Sequence, residues 1–252
     1  MRKSMAAIAA LMMFAGGAAQ AASSTVTVLG SSNPFLAGQP AGTSCCGGDA
    51  APGQSPVLVT GTLTSSATLT FSGAGGFNYA GGTPSDSLDG DHTGQNLDYP
   101  FSMVADYGTG ISGPTNVNVD GLVGVFTTDT QPSGAAPAPM DYATGGNSGG
   151  LADASYAPGL DQIFWIGDGL TGTGTGSVQQ FLVPTGATRL YLGTVDGEGW
   201  ANNTGVGLVT VSGLTTGGVP EPATWAMMML GVFGLGAMLR ARRKAEVAAL
   251  AA

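Results

Sequence analysis

The segment 194–205 carries the side chains with the clearest chemical potential in this chain. It reads Thr-Val-Asp-Gly-Glu-Gly-Trp-Ala-Asn-Asn-Thr-Gly and so combines two carboxylates, two amide oxygens, three glycines and a tryptophan. Carboxylate and amide oxygens suit a hard cation such as calcium, and glycines let backbone carbonyls turn towards an ion. An exposed indole such as Trp200 suits the apolar face of a sugar ring. The segment therefore predicts a joint metal and sugar site, with oxygen ligands from Asp196, Asn202 and Asn203.

The elements around this segment are predicted to be strands. Short β-prone runs separated by Gly and Asn follow Pro56, and residues 68–71 alternate polar with apolar as in a half-exposed strand. With 44 glycines and no amphipathic helical stretch between the termini, the sequence favours an all-β, antiparallel jelly-roll sandwich whose rim loops carry function. The predicted strands are residues 57–63, 68–71, 121–127, 162–167, 178–183, 188–195 and 206–212.

Two segments together resemble a known family. The later one contains Leu190-Tyr191-Leu192, Asp196, Asn202-Asn203 and Gly205. The earlier one contains Leu69-Thr70-Phe71-Ser72-Gly73, Asn78-Tyr79 and then Asp89-Gly90-Asp91-His92-Thr93-Gly94-Gln95. Both are similar to the bacterial calcium-dependent galactophilic lectins, which are small jelly-roll domains, and the resemblance spans roughly residues 57–213.

This resemblance implies a role for each matching residue. The Tyr79 carbonyl and the side-chain oxygens of Asp196, Asn202 and Asn203 would bind calcium, and two sugar hydroxyls would complete its coordination. The resemblance adds His92 and Gln95 as sugar contacts, beside Asp196, Trp200 and Asn202, which are predicted sugar contacts of the segment 194–205. The loop from Asp196 to Asn202 is one residue shorter than in the lectins and lacks their Thr, so a carbonyl near Gly199 or Trp200 must substitute.

Two other functions are compatible with the same residues. Asp, Asn and Gly dominate turns for conformational reasons alone, so the segment 194–205 also fits a hairpin without a ligand, in a structural matrix or coat protein. Gly146-Asn147-Ser148-Gly149-Gly150 resembles the nucleophile region of chymotrypsin-like serine proteases, although Asn replaces Asp and little chain remains for a second barrel. We expect a binding protein and no enzymatic activity.

The charge of the chain limits its partners. Between Ala22 and Gly218, Arg189 is the one basic residue against fourteen acidic residues, a net charge of −13. Nucleic-acid binding needs a basic surface, so it is excluded, and anionic polymers are disfavoured. A neutral ligand or a cation remains compatible with this charge.

The two cysteines, Cys45 and Cys46, are adjacent. A disulfide between neighbours constrains little chain, so either a labile vicinal bridge or an intermolecular link is compatible with an oxidising compartment. Because Gly, Pro and Ser are frequent around the pair, residues 22–56 are predicted to be an extended lead-in with the cysteines exposed at its surface.

The C-terminal region determines where the protein is delivered. Seventeen uncharged residues, Ala223 to Leu239, are at the short end of a membrane-spanning helix, and the basic cluster that ends at Lys244 predicts a cytoplasmic C-terminal side. This order resembles the PEP-CTERM sorting tail of Gram-negative bacteria. The resemblance implies recognition and cleavage by an exosortase-type membrane enzyme, and proteins of this kind accompany exopolysaccharide and biofilm matrix. The residues that match are Pro220, Glu221, Pro222, Trp225, Arg240, Arg242 and Arg243.

The N-terminus agrees with export. Arg2 and Lys3 precede an apolar run, and Ala19-Gln20-Ala21 is typical of a signal-peptidase site. The predicted organisation is a signal peptide (1–21), lead-in (22–56), lectin-like sandwich (57–213), linker (214–219), sorting signal with a transmembrane helix (220–244) and tail (245–252). We expect an exported protein that passes through the inner membrane, reaches the surface or matrix, and binds extracellular polysaccharide through calcium.

Overall fold

The structure is a computed structural model that describes residues 21–79, 81–84, 87–90, 100–215 and 222–250. The chain divides into two compact units, one over Ala21–Thr216 and a terminal unit assigned to Met1–Gln20 and Gly217–Ala252. Among the described residues, those of the hydrophobic core lie in the first unit, between Ala22 and Leu214. Because it carries its own core, this unit, which we call the exported domain, has what a domain needs to fold alone.

The longest strands of the exported domain form a five-stranded sheet. Neighbours are antiparallel except β11 (Gln180–Leu182) and β7 (Ser155–Tyr156), which run parallel. The first strand lies at one edge and pairs with the last strand of the domain over its whole length. The strands in spatial order are β1 (Ala21–Leu29), β13 (Thr204–Thr215), β5 (Thr68–Asn78), β11 (Gln180–Leu182) and β7 (Ser155–Tyr156).

A four-stranded antiparallel sheet forms the second layer. Its strand β6 (Leu122–Thr127) is buried at every residue, as expected for a strand covered on both faces. Spatially, the order is β4 (Val57–Leu58), β12 (Arg189–Thr194), β6 (Leu122–Thr127) and β8 (Ile163–Trp165). Two small two-stranded sheets complete the set, β2 (Ser44–Cys45) with β3 (Asp49–Ala50), and β9 (Leu170–Gly172) with β10 (Thr175–Val178).

Aromatic side chains join the two large sheets. Phe71 and Phe181 of the five-stranded sheet lie with ring centroids 6.4 and 5.7 Å from Phe164 of the four-stranded sheet. Phe164 stacks in turn on Phe126, at 5.0 Å. Each of these rings is at most 2% exposed, so burial of their large apolar surfaces is a main contribution to stability.

The predicted all-β class is confirmed, and each predicted run contains a strand, although β4 is shorter than residues 57–63. The strand order does not establish a jelly roll. The predicted linker is wrong at its start, because Leu214 and Thr215 belong to β13 and Leu214 is buried.

The prediction of a lead-in over residues 22–56 is also wrong. Residues 21–29 form strand β1, and a short 3-10 helix follows at Pro34–Leu36, with all three of its residues buried. Apolar side chains in a Gly-rich segment are buried here because this helix packs against β6 and β12. Cys45 and Cys46 form an intramolecular disulfide, and Cys46 is buried instead of exposed.

In the terminal unit, the residues that the structure describes form helix α1 (Pro222–Leu250), which includes most of the sorting signal and of the predicted tail. Its uncharged residues end at Leu239, and exposed Arg240, Arg242 and Arg243 continue the same helix. In the part of the chain that the structure describes, no helix is long and apolar enough to cross a membrane. The predicted transmembrane helix is therefore not confirmed. Residues 1–20, which contain most of the predicted signal peptide, lie outside the described residues.

Candidate functional site

The candidate site lies in the loop that connects β12 to β13. The loop turns through Gly199, whose φ of 77° is a left-handed conformation that glycine adopts without strain, and then forms a 3-10 helix at Trp200–Asn202. The β5–β13 register places Asn78 opposite Thr204, which puts Tyr79 beside Asn203 at the end of the ladder. The two segments predicted to share one site therefore meet at one end of the sheet.

A hydrogen bond fixes the turn after Tyr79 against this loop. The Thr204 hydroxyl donates to the carbonyl of Gly82 at 3.0 Å. A side chain at Gly81 would come within 3.3 Å of the carbonyl oxygen of Asn202, so the two turns are in close contact. The geometry thus brings Tyr79, Asp196, Asn202 and Asn203 into one region.

Two buried oxygen atoms in this region lack hydrogen-bond partners among the described residues. Asp196 is 3% exposed, and its Oδ1 accepts the Gly197 N–H at 2.5 Å while its Oδ2 has no partner. The Oδ1 of Asn203 is also buried and unpaired. An unpaired buried acceptor is unfavourable by about 1–3 kcal/mol. Among the described residues, seven buried side-chain atoms lack a hydrogen-bond partner, and the two in this region belong to residues predicted as cation ligands.

The electrostatics of Asp196 show how strongly this carboxyl is desolvated. Burial raises the pKa of Asp196 to about 6, although nearby donor groups of Asn203, Gly197 and Glu198 act in the opposite direction, and the charge of Asp49 raises the pKa further. Asn203 therefore lies close enough to affect the Asp196 carboxyl, even though neither unpaired oxygen makes a well-formed hydrogen bond.

This shift predicts a pH-dependent stability in metal-free buffer. The pKa of Asp196 is about 6 in the folded state, and about 3.9 is usual for an unfolded chain, so the folded state binds the proton more tightly. Protonation of Asp196 then contributes about 2–3 kcal/mol of stability, which is fully present below pH 4 and is lost as the pH rises through 6. Urea unfolding of the wild type and of Asp196→Asn between pH 4 and 8 measures this contribution as the difference between the two proteins. A difference that does not change with pH would contradict it.

Asp49 holds the loop through hydrogen bonds to its backbone. This carboxylate is 1% exposed and accepts the backbone N–H groups of Trp200 at 2.9 Å and Ala201 at 3.0 Å, together with the Asn33 side-chain amide at 2.9 Å. It therefore satisfies the N–H groups at the start of the 3-10 helix. Since its oxygens already accept three hydrogen bonds, Asp49 is a positioning residue for the loop and is not counted as a cation ligand.

The disulfide segment and Tyr107 provide two further supports. The Gly199 N–H donates to the carbonyl of Cys46 at 2.8 Å, and the Tyr107 hydroxyl donates to the carbonyl of Gly197. Burial, followed by the nearby charges of Glu198, Asp196 and Asp49, raises the pKa of Tyr107. Sequence reasoning missed Asn33, Asp49 and Tyr107, because each reaches the loop only through long-range contacts that leave no local pattern.

The predicted role of Trp200 is wrong. Its side chain is 0% exposed, its Nε1–H donates to the carbonyl of Thr194 at 3.0 Å, and its ring lies edge-on to Phe35 with centroids 6.0 Å apart. A fully buried indole offers no face to a sugar. Its size explains the outcome, since burying the ring removes a large apolar surface from water.

The other predicted residues divide into three groups. Asn202 is exposed at the surface of the loop. His92 and Gln95 lie outside the described residues, as do Pro220 and Glu221 of the sorting signal. The hydroxyl of Ser148 donates to the side chain of its neighbour Asn147 at 2.8 Å, and no base for a catalytic triad contacts it among the described residues.

The donor set limits the kind of cation that the site can hold. Among residues 21–79, 81–84, 87–90, 100–215 and 222–250, no group of three or more His, Cys, Asp or Glu residues is arranged to hold a metal ion. A cation beside Asp196 would therefore be held by one carboxylate and otherwise by neutral amide and carbonyl oxygens. This set suits calcium, a hard ion with flexible coordination, better than zinc, which prefers nitrogen and sulfur ligands.

Comparison with known proteins identifies the C-terminal segment. A family model described as the PEP-CTERM protein-sorting motif matches residues 218–244. No curated protein and no solved structure gives a significant match to the chain. The motif indicates export and sorting by an exosortase, which is a membrane enzyme, and it confirms that the C-terminal segment is a PEP-CTERM sorting motif.

Proposed function

Because the chain is an exported protein that carries an exosortase sorting motif, we propose that its exported domain binds carbohydrate in a calcium-dependent manner at the cell surface or in the biofilm matrix. One observation carries the proposal: the buried Oδ2 of Asp196 and Oδ1 of Asn203 have no hydrogen-bond partner among the described residues. A bound cation would satisfy both oxygens and offset the unfavourable burial of the Asp196 charge.

The surrounding residues support a cation at this position. Asn202 is exposed at the loop surface, and the strand register places the backbone of Tyr79 beside Asn203. Asp49, the Cys46 carbonyl and Tyr107 hold the loop by hydrogen bonds, so that little ordering is needed on binding. When bound, calcium would supply open coordination positions to a pair of sugar hydroxyls. His92 and Gln95 stay predicted sugar contacts on the strength of the family resemblance.

Calcium is expected to stabilise the exported domain. A site with one carboxylate predicts a dissociation constant of about 10⁻⁴ to 10⁻³ M, within the range of extracellular calcium modules. At about 10 mM calcium the melting temperature should then rise by about 3–7 °C. Thermal unfolding with calcium, with magnesium and with chelator measures the shift.

Two variants assign that shift to the proposed site. Asp196→Asn should abolish it, because the carboxylate that attracts the ion is lost. Glu198→Gln should retain it, since Glu198 is an exposed carboxylate of the same loop. Calcium stabilisation that persists in Asp196→Asn would place the ion elsewhere and end the proposal.

The sugar step has its own test. Calorimetric titration with simple sugars should release heat in calcium and none with chelator or with Asp196→Asn. A domain that binds calcium but no sugar would limit the function to cation binding.

A structural matrix or coat protein without a ligand is the second candidate. It is favoured by the burial of Trp200, which removes the aromatic ring that the loop was expected to offer to a sugar. Absence of any calcium or sugar effect in both experiments would support this candidate.

A further inference from the structure

The strands of the five-stranded sheet contain no charged residues, although the domain is strongly acidic. Its strands β1, β13, β5, β11 and β7 contain no Asp, Glu, Lys, Arg or His, whereas fourteen acidic residues occur elsewhere between Ala22 and Gly218. Edge strands of natural sheets often carry charged side chains that prevent association with another copy, and the edge strand β1 has none.

The outer face of three of these strands is a continuous surface. The register aligns Leu29 with Val206 and Thr27 with Leu208, and places Ala74 opposite Leu208 on the other side. Leu29, Val206 and Leu208 are 50%, 50% and 56% exposed. Further along these strands, the exposed positions carry hydroxyl side chains, and the hydroxyl groups of Thr25 and Thr210 form a hydrogen bond of 2.9 Å. We call this surface the outer face, made of Ser23, Thr25, Thr27, Leu29, Ser72, Ala74, Val206, Leu208 and Thr210.

The charge of the domain indicates what can cover this face. Two copies with a net charge of −13 each repel one another wherever acidic side chains meet. The outer face is a surface on which two copies can approach without bringing like charges together, and burial of Leu29, Val206 and Leu208 is favourable there. Its rows of small and β-branched side chains also suit packing against an identical sheet.

We propose that the outer face is a self-association surface, through which the exported domain packs against a second copy of itself. Three strands of nine residues cover only about 14 by 30 Å, which is less than the roughly 800 Å² per partner of a stable complex. Association is therefore weak and depends on concentration in solution. It becomes effective where the sorting signal brings many copies to one surface.

Sedimentation velocity of the exported domain tests the proposal in calcium-free buffer, from about 10 μM to about 1 mM. The wild type should show reversible dimerisation. Leu208→Asp should raise the dissociation constant at least about tenfold, because it places a charge against the same charge of the second copy. Val178→Asp is the matched control: it makes the same change at a residue that is 54% exposed but lies in the separate β9–β10 hairpin, and it should have little effect.

A second variant distinguishes weaker dimerisation from misfolding of Leu208→Asp. Thr27→Asp changes an exposed residue opposite Leu208 and should weaken dimerisation in the same way, with circular dichroism and melting curves to confirm that each variant is folded. The full chain in detergent micelles should show the same order of dimer dissociation constants among the variants.

Two outcomes would overturn the proposal. One is a wild type that is monomeric throughout the concentration range, including the case in which its outer face instead retains a neutral polysaccharide. The other is equal weakening of dimerisation by Leu208→Asp and Val178→Asp. Since calcium is absent throughout, a failure of self-association leaves the calcium experiments unaffected, and the reverse also holds.

Discussion

Asp49→Ala is expected to lower the free energy of unfolding of the exported domain by about 3–5 kcal/mol. The substitution leaves three donors without an acceptor, namely the N–H groups of Trp200 and Ala201 and the side-chain amide of Asn33. An unpaired buried donor is unfavourable by about 1–3 kcal/mol, and Asp49 is only 1% exposed, so water cannot take over its role. Equilibrium unfolding in urea measures the loss.

Asp129→Ala provides the comparison for Asp49→Ala. The Asp129 side chain is 74% exposed and lies 3.4 Å from Arg189, in an ion pair at the surface. Such a pair contributes about 1 kcal/mol or less, so this variant should unfold almost as the wild type does. If Asp49→Ala loses no more stability than Asp129→Ala, the hydrogen bonds assigned to Asp49 do not hold the loop.

The Asp49→Ala variant also separates an effect on stability from an effect on calcium binding. Asp49 contacts the loop from the side of the disulfide segment, whereas the two unpaired oxygens belong to Asp196 and Asn203. Calcium stabilisation should therefore decrease in Asp49→Ala, because the loop is no longer ordered before binding, but it should not disappear as in Asp196→Asn.

The strands of the domain were predictable because their pattern is local. Alternating residues such as Thr68-Leu69-Thr70-Phe71 determine which side of a strand faces the core, and this information lies within a few neighbouring positions. The same signal was present in Thr25-Val26-Thr27-Val28, but the Gly, Pro and Ser residues that follow indicated a loop, so β1 was missed.

The candidate site was predictable only in part, for a different physical reason. Asp196, Asn202 and Asn203 are close in sequence, so the segment itself suggested a cation, and the family resemblance added Tyr79. Asp49 and Trp200 are separated by 151 positions, and their hydrogen bond depends on how the whole chain folds. No local pattern distinguishes a buried carboxylate that caps a helix from a solvated one.

Trp200→Ala is expected to be the most destabilising substitution in the loop, at about 3–5 kcal/mol. It removes a fully buried ring and leaves a cavity beside Phe35, and it leaves the carbonyl of Thr194 without its donor. Trp200→Phe keeps an aromatic ring at this position and should lose about 1–2 kcal/mol, chiefly through the missing Nε1–H bond. Val178→Ala, at an exposed strand position, should change stability by less than about 0.5 kcal/mol.

The Trp200 series also decides between two interpretations of the loop. A tryptophan that stacks on sugar would be exposed to aqueous iodide, and its removal would abolish sugar binding while the domain remained fully stable. A core tryptophan is protected from iodide, and its removal lowers the stability of the whole domain. The contact with Phe35, which lies in the short helix at Pro34–Leu36, indicates the second result, because this ring joins the loop to the N-terminal part of the core.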